Sequence, residues 1–308
     1  MRRTTALVVL LVASVFAGAT QAAQGLEIAP NSGLPGSTCA AGRLYTPFTA
    51  PGAGVKSTGL GAEAPAYYEI GVPTGAFAGK PPKGVMLVIH GGGWFVVGKE
   101  TLVPVRSYVD NWRARGWTTL SIDYRACGQS LTDVFWFMRR VREIRPNAVV
   151  CAAGLSAGGH LALLLASVRP DVACVISVAG PTDLSSLPNQ QTFDPVTATM
   201  SAVVPTKLFN MAAAAFGGVG TLNAWSPISY AGRIKARVLL ANGELDNKVP
   251  VRQATDYAAA LRSAQPGLYV DEVLLPPGTQ PFVHTGASEA GLLEFHAAED
   301  ALTAPLVG

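Results

Sequence analysis

The segment 148–168 constrains the fold more than any other part of the chain. A short apolar run at 148–153 is followed by the letters GLSAG at 154–158 and then by a helical run of mostly apolar residues that ends at Val168. This order predicts a buried strand, a sharp turn and a helix. The pattern G-x-S-x-G needs that context, because its serine sits on a strained strand-to-helix turn that flanking glycines let the backbone make. We interpret Ser156 as a candidate nucleophile; the alternative is an ordinary strand-to-helix turn.

Short apolar runs alternate with helical patterns along most of the chain. The apolar runs are continuous, as in parallel strands that are covered on both faces; they lie at 85–89, 117–122, 172–178, 237–241 and 269–275. Helical patterns are predicted at 101–115, 131–144, 251–263 and 289–301. Residues 181–235 break this alternation, carry no clear strand and are long enough to form a cap-like insertion. The sequence predicts one α/β domain at 67–308, with a mostly parallel central sheet and helices on both faces.

A glycine-rich motif follows the predicted strand at 85–89. Its letters are HGGGW at 90–94, which match an oxyanion loop of the HGGG type. Such a loop needs backbone N–H groups aimed at the developing oxyanion, with no side chain in the way. We expect Gly91, Gly92 and Ala157 to supply those donors.

Other residues of the motif and of the insertion are predicted to support the site. His90 is expected to hold the loop by hydrogen bonds rather than to act as a base. Trp94 is interpreted as lining an acyl pocket or as packing the loop. Apolar and aromatic residues of the insertion are predicted to face the substrate, because open parallel sheets bind ligands at the carboxyl edge of their strands. These residues are Phe193, Met200, Phe209, Met211 and Phe216. The alternative is a packed helical excursion far from the site.

Three histidines follow the oxyanion loop and compete for the role of general base. His160 lies four residues after Ser156 on the same predicted helix and is interpreted as structural. His296 lies on the last predicted helix, at a packing or surface position. His284 lies in a loop after the run at 269–275, which leaves it as the predicted base.

The predicted acid lies in the loop after the run at 237–241. Asp246 follows that run, and the next run leads to the loop of His284, so both loops emerge at the carboxyl edge of a parallel sheet. A carboxylate there can hold the imidazole tautomer and stabilise the imidazolium. Glu244 in the same loop and Asp183 after the run at 172–178 are the alternatives.

The N-terminus has the pattern of a secretory signal peptide. Arg2 and Arg3 precede an apolar stretch at 6–17, and small residues follow it. The stretch is too short to span a bilayer comfortably. We predict a signal peptide at 1–22, an irregular segment at 23–66 and a secreted or periplasmic protein without stable membrane insertion after cleavage; the alternative is an uncleaved anchor.

The charge composition of the chain excludes one class of partner. The formal net charge is +3 from 23 basic and 20 acidic residues, and losing the two arginines of the leader leaves 21 − 20 = +1. No run of Lys or Arg forms a patch, so nucleic acid is not expected as a partner.

The four cysteines form no CxxC pair, so neither a zinc site nor a redox motif is supported. An even count in an exported protein indicates disulfides. Cys39 and Cys127 lie in loop-like sequence and are the favoured pair. Cys151 and Cys174 lie inside apolar runs and are interpreted as small buried residues.

Five motifs in order now carry a family resemblance: HGGGW at 90–94, DYR at 123–125, GLSAGGH at 154–160, GELDNKVP at 243–250 and the late His284. With them, residues 67–300 resemble the α/β-hydrolase serine esterases of the hormone-sensitive-lipase-like and feruloyl-esterase-like branch. Two departures are a short 126–130 segment and a 279–287 loop without the usual Gly-x-x-His-Gly form.

The resemblance implies a serine hydrolase of carboxylic esters with a Ser156–Asp246–His284 triad and an acyl-enzyme. It implies a small-molecule or polysaccharide-linked ester as substrate, and neither a metal nor an organic cofactor. Amidase, arylformamidase-like or peptidase activity on the same triad is the alternative. A non-catalytic binding protein on the same fold is a further one, although such proteins typically lose the Ser or His of the triad.

Overall fold

The structure is a computed structural model, and it describes residues 56–57, 67–97, 99–102, 104–276 and 289–307. The predicted signal peptide at 1–22 lies outside the described residues, as does the segment 23–66 apart from 56–57.

The described residues form ten strands and six α-helices. The strands are β1 (Lys56–Ser57), β2 (Tyr67–Gly71), β3 (Val85–Ile89), β4 (Thr118–Ile122), β5 (Val150–Leu155), β6 (Cys174–Val178), β7 (Thr192–Asp194), β8 (Thr199–Ser201), β9 (Arg237–Gly243) and β10 (Val270–Leu275). The α-helices are α1 (Arg106–Ala114), α2 (Gln129–Ile144), α3 (Ala157–Val168), α4 (Val203–Phe216), α5 (Arg252–Ala264) and α6 (Glu289–Thr303).

Eight of these strands form one sheet in the order β1-β2-β4-β3-β5-β6-β9-β10. From β4 to β10 every neighbouring pair is parallel, and β1 and β2 join antiparallel at one edge. Every residue of β3, β5 and β6 is buried, which explains their continuous apolar sequences. The predicted mostly parallel sheet is confirmed.

Helices cover both faces of the sheet, as predicted. On one face, apolar residues of α2, α3 and α5 build a core with the sheet. On the other face, α1 and α6 pack around Trp112, Trp117 and Phe295. Helix α3 is buried at every position from Ala157 to Ser167, because it lies in the centre of its layer, and its apolar residues therefore follow no single stripe.

Two local predictions were wrong. The helix expected at 101–115 is a 3-10 turn at Lys99–Leu102 followed by α1 from Arg106; Pro104 lies between them, and proline cannot donate the backbone N–H that a helix interior requires. The insertion at 181–235 was expected to carry no clear strand, but it holds the antiparallel pair β7–β8 before α4.

The interpretation of Cys151 and Cys174 as unpaired buried residues was also wrong. They form a disulfide with a Cα–Cα distance of 4.6 Å, because β5 and β6 are adjacent parallel strands and place these two residues opposite each other. Cys127 is disulfide-bonded as well. Its predicted partner, Cys39, lies outside the described residues.

Candidate active site

Ser156 occupies a strained turn between β5 and α3. Its backbone angles are φ 53° and ψ −121°, a region that a residue with a side chain rarely adopts. The flanking glycines make the turn possible: a Cβ on Gly154 would collide with the carbonyl oxygen of Gly158, and a Cβ on Gly158 with that of Ile89. The Ser156 N–H donates to the Val178 carbonyl at 2.8 Å, which ties the turn to β6. The surrounding structure thus holds this strain at one serine.

The glycine-rich loop after β3 comes directly beside this serine. A Cβ on Gly91 would lie 2.9 Å from the Leu155 carbonyl oxygen and 3.2 Å from the Ser156 Cβ. Gly92 has a φ of 123°, a conformation that strongly favours glycine. Ala157 is the first residue of α3, so its N–H has no partner within the helix. The structure therefore brings together the residues of the predicted oxyanion hole and the predicted nucleophile.

A buried polar network anchors the start of this loop. The His90 Nε2 lies 3.2 Å from Asp123 Oδ1, and the ring stacks on Tyr124 with centroids 4.3 Å apart. The Tyr124 hydroxyl donates to the carbonyl oxygens of His90 and Gly91, at 3.1 and 3.3 Å. Burial, together with the negative charge of Asp123, raises the pKa of Tyr124 well above its ordinary value, so the hydroxyl stays a donor. Sequence reasoning noted the letters DYR but not this anchoring role.

His160 connects the loop, α3 and the insertion. Its Nδ1 accepts a hydrogen bond from the Trp94 indole N–H at 3.2 Å, and its Nε2 lies 2.6 Å from the Trp225 carbonyl oxygen. These two contacts require a neutral imidazole that is protonated on Nε2. Burial lowers the pKa of His160 to about 4, against a smaller opposing effect of the Trp225 carbonyl. These contacts fit the structural role expected for His160.

The aromatic side chains predicted for a pocket take different positions. Trp94 is 0% exposed and Phe216 is 4% exposed. They pack edge to face at 5.3 Å, and Phe216 stacks on Trp225. This burial does not fit a pocket-lining role for Trp94 and Phe216, and it favours the packing alternative. Phe209 is half-buried on α4, and its contact with a substrate stays a prediction.

Asp246 lies in the loop after β9, at the same carboxyl edge as Ser156. It is buried, and its Oδ1 accepts from the backbone N–H groups of Lys248 and Val249, at 2.7 and 2.9 Å. The Asn242 amide lies 3.4 Å from its Oδ2. These donors hold the carboxylate in one orientation.

The alternative acids are placed differently. Glu244 is exposed, although it lies in the same loop. Asp183 uses its Oδ1 to accept from the Ser185 hydroxyl and the Ser186 N–H, at 2.7 and 3.2 Å, so it stabilises a local turn. The predicted base, His284, lies outside the described residues.

Helix α4 of the insertion lies against the oxyanion loop. A Cβ on Gly93 would come 2.5 Å from the Met211 Cε. The insertion therefore reaches the region of the predicted site through Met211, and the contact of this side chain with a substrate stays a prediction.

Three further observations concern the described part of the chain. No group of three or more His, Cys, Asp and Glu residues there is placed to hold a metal ion. Among the same residues, no helix combines the length and the apolar composition that a membrane span requires. A cavity of about 260 Å³ lies between β2 and α1, lined by Glu69, Arg106 and Arg113 among others, and none of the predicted site residues lines it.

Comparison with known proteins gives the family and the fold of the chain. The family model BD-FAE matches residues 76–261. No curated protein sequence matches the chain. Esterase 2 of Thermogutta terrifontis, in a structure phosphonylated by sarin, shares 19% identity at a TM-score of 0.62, over 84% of this chain and 97% of that one. An esterase of Pyrobaculum calidifontis shares 17% identity at a TM-score of 0.57, over 82% and 83%.

A peptidase is similar as well. The puromycin-hydrolyzing peptidase of Mycobacterium tuberculosis shares 19% identity at a TM-score of 0.59. The match covers 80% of this chain but 38% of the peptidase, so the chain spans well under half of that protein's length. At these identities the similarity shows the fold, and the predicted α/β-hydrolase fold is confirmed. The hormone-sensitive-lipase-like branch stays a prediction.

Proposed function

The chain belongs to the BD-FAE family, and on that premise we propose that it is a serine hydrolase that cleaves carboxylic esters. The observation that carries the proposal is the backbone of Ser156, which is held at positive φ between β5 and α3 with Gly91 beside it. Strain of this kind persists only where the surrounding structure imposes it, and it concentrates at functional sites. A nucleophile elbow explains it, because the turn raises the serine oxygen above the sheet.

In the proposed reaction, His284 takes the proton of the Ser156 hydroxyl as its oxygen attacks the ester carbonyl carbon. Asp246 orients His284 and stabilises the imidazolium that forms. His284 then gives the proton to the leaving alcohol as the C–O bond breaks, which leaves an acyl-enzyme. Water, activated by the same histidine, releases the acid and restores the serine.

The proposed oxyanion hole consists of the N–H groups of Gly91, Gly92 and Ala157. They would stabilise the negative charge of both tetrahedral intermediates, and glycines keep side chains away from that oxygen. The buried contact between His90 and Asp123 supports this role, because it anchors the residue that precedes the donors. No metal or organic cofactor takes part in these steps.

We propose small-molecule or polysaccharide-linked esters as substrates, with Phe209 and the neighbouring face of α4 at the substrate pocket. The position of Met211 against Gly93 supports a role of the insertion in substrate choice. Export to the periplasm or the medium is part of the proposal. The disulfide between Cys151 and Cys174 supports it, because such bonds persist in oxidising compartments.

The test is a panel of 4-nitrophenyl esters from acetate to palmitate, run beside acetylated and feruloylated polysaccharide. The Ser156→Ala variant should lose at least about 1,000-fold in kcat/KM while keeping its fold. Ser263→Ala, an exposed serine on α5, is the matched control and should keep full activity. A loss of less than about tenfold in Ser156→Ala contradicts the assignment.

The same panel separates the alternatives. Peptidases share the fold, so 4-nitroanilides of the same acyl groups should be compared with the esters. Higher kcat/KM on the anilides would make the chain an amidase. Absence of hydrolysis on both substrate classes would favour a binding protein.

A further inference from the structure

The end of the oxyanion loop contains three consecutive residues at positive φ. Gly92, Gly93 and Trp94 have φ angles of 123°, 58° and 67°. Glycine adopts such angles at little cost, but Trp94 carries a side chain and is strained in the left-handed region. Strain of this kind persists only where neighbouring contacts impose it. The conformation of the loop that carries the proposed donors therefore depends on contacts from outside the loop.

Cys127 supplies one of these outside contacts. Its backbone N–H donates to the Trp94 carbonyl oxygen at 2.8 Å, and its own carbonyl accepts from the Ser130 N–H at 2.9 Å, at the start of α2. Its side chain is 3% exposed and belongs to the same core as Trp94 and Phe216. The φ of Cys127 is 65°, so the residue that holds Trp94 is itself strained. The hydrogen bond to Trp94 lasts only while Cys127 keeps this left-handed backbone.

A covalent bond restrains Cys127 through its side chain. The residue is disulfide-bonded. Cys151 and Cys174 bond to each other, so Cys39 is the one cysteine of the sequence that is left to pair with Cys127. A disulfide restricts the conformations that are open to its two residues. It can therefore hold a backbone angle that hydrogen bonds alone would let relax.

We propose that the disulfide between Cys127 and Cys39 positions the oxyanion loop. The disulfide holds Cys127 at positive φ, and the Cys127 N–H then holds the Trp94 carbonyl. The loop in turn keeps the N–H groups of Gly91 and Gly92 aimed at the oxyanion. This inference rests on the proposed function and adds to it two positioning residues that need no contact with substrate. Because the oxyanion develops only in the transition state, loss of the disulfide should lower kcat and leave KM nearly unchanged.

The pairing is tested first, on the unreduced wild-type protein. Peptide mapping by mass spectrometry should recover a peptide with Cys39 linked to a peptide with Cys127. A link from Cys127 to a cysteine of a second copy, or a free thiol on Cys127, would overturn the pairing.

Two substitutions then remove the disulfide from its opposite ends. Cys39→Ser changes no residue near the oxyanion loop, and Cys127→Ser keeps the backbone N–H that binds Trp94. Each should lower kcat on 4-nitrophenyl acetate about tenfold while KM stays within about twofold. The double variant should lose no more than either single variant, because both remove the same bond. A wild-type kcat in Cys39→Ser, or losses that add in the double variant, would contradict a shared disulfide.

Cys127→Gly separates positioning from general stability. Glycine reaches a φ near that of Cys127 without a Cβ penalty and keeps the N–H, so the contact with Trp94 can form without the disulfide. The kcat of Cys127→Gly should therefore return to within about threefold of the wild-type value. A kcat as low as that of Cys127→Ser would mean that the disulfide does not act through this backbone angle.

The second disulfide provides the matched control. Cys151 lies near the amino end of β5 and Cys174 begins β6, whereas Ser156 follows the carboxyl end of β5. A variant with Cys151→Ala and Cys174→Ala should be less stable in urea but keep kcat, at a temperature where it is fully folded by circular dichroism. A similar loss of kcat in this variant would make the effect one of stability.

The outcomes distinguish this inference from the proposed function. If the wild-type protein hydrolyses esters and Cys39→Ser and Cys127→Ser both keep full kcat, the positioning role alone is refuted. If the wild-type protein hydrolyses no ester, the proposed function is refuted. The comparison of Cys127→Gly with Cys127→Ser needs no second disulfide, so it remains decisive if the control variant fails to fold.

Discussion

When His160 is replaced by glutamine, the free energy of unfolding should fall less steeply as the pH decreases below neutrality. In the folded protein the imidazole is 0% exposed and held neutral between the Trp94 N–H and the Trp225 carbonyl. Burial lowers the pKa of His160 to about 4, whereas an unfolded chain titrates near 6.5. Between the two pKa values, His160 is protonated in the unfolded chain but stays neutral in the folded protein. The contribution of the neutral His160 to the free energy of unfolding is therefore present in full above about pH 6.5, and it is lost as the pH falls toward about 4.

The expected size of this loss follows from the two pKa values. The wild-type protein should lose about 2 kcal/mol of unfolding free energy from this residue at about pH 5, and about 3 kcal/mol at about pH 4. The His160→Gln variant keeps a neutral donor and acceptor and has no proton to gain. At neutral pH it should be less stable by about 1–2 kcal/mol, because glutamine satisfies the two hydrogen bonds less well. The difference in the free energy of unfolding between the wild-type protein and the variant should therefore shrink or change sign as the pH falls.

Urea unfolding of both proteins at several pH values between about 4.5 and 8 measures this, and other titrating groups cancel in the difference. The His296→Gln variant controls for loss of an imidazole near the surface, where the side chain is 35% exposed. If the difference in the free energy of unfolding between wild-type and His160→Gln stays constant within about 0.5 kcal/mol over the whole pH range, His160 is not a buried neutral imidazole.

Other substitutions test the anchoring of the loop, the turn and the pocket. Asp123→Asn removes the charge that faces His90 and should lower kcat about tenfold with little change in KM, since the oxyanion donors are used in the transition state; an unchanged kcat would contradict this. Gly158→Ala should destabilise the fold by about 3 kcal/mol in urea unfolding, because its Cβ has no room, whereas Gly267→Ala meets nothing within 4 Å and should be neutral. Phe209→Ala should shift the preference between short and long acyl chains in the ester panel, by about 1–3 kcal/mol in relative kcat/KM. An unchanged chain-length preference would show that Phe209 does not contact the acyl chain.

The parallel sheet and its central turn could be predicted because their signals are local. Continuous apolar runs mark strands that are buried on both faces, and the glycines around Ser156 mark a turn that other residues cannot make. The missed strands β7 and β8 have three residues each, and β8 is largely exposed, so neither leaves an apolar pattern.

Other features could not be predicted because they depend on contacts between distant parts of the chain. The pairing of Cys151 with Cys174 depends on the register of two adjacent strands, which a separation of 23 residues in sequence does not reveal. The burial of Trp94 depends on His160 and on Phe216 of the insertion. Such long-range packing decides whether an aromatic residue of a loop meets substrate or core.

The most direct test of the central claim is covalent labelling of the proposed nucleophile. The protein is incubated with diisopropyl fluorophosphate, and peptide mapping by mass spectrometry locates the adduct while residual hydrolysis of a 4-nitrophenyl ester is followed. A single phosphoryl adduct on Ser156 is expected, with loss of activity in proportion to the fraction of Ser156 that is modified. An adduct on another residue that abolishes activity, or full activity with Ser156 modified, would contradict it.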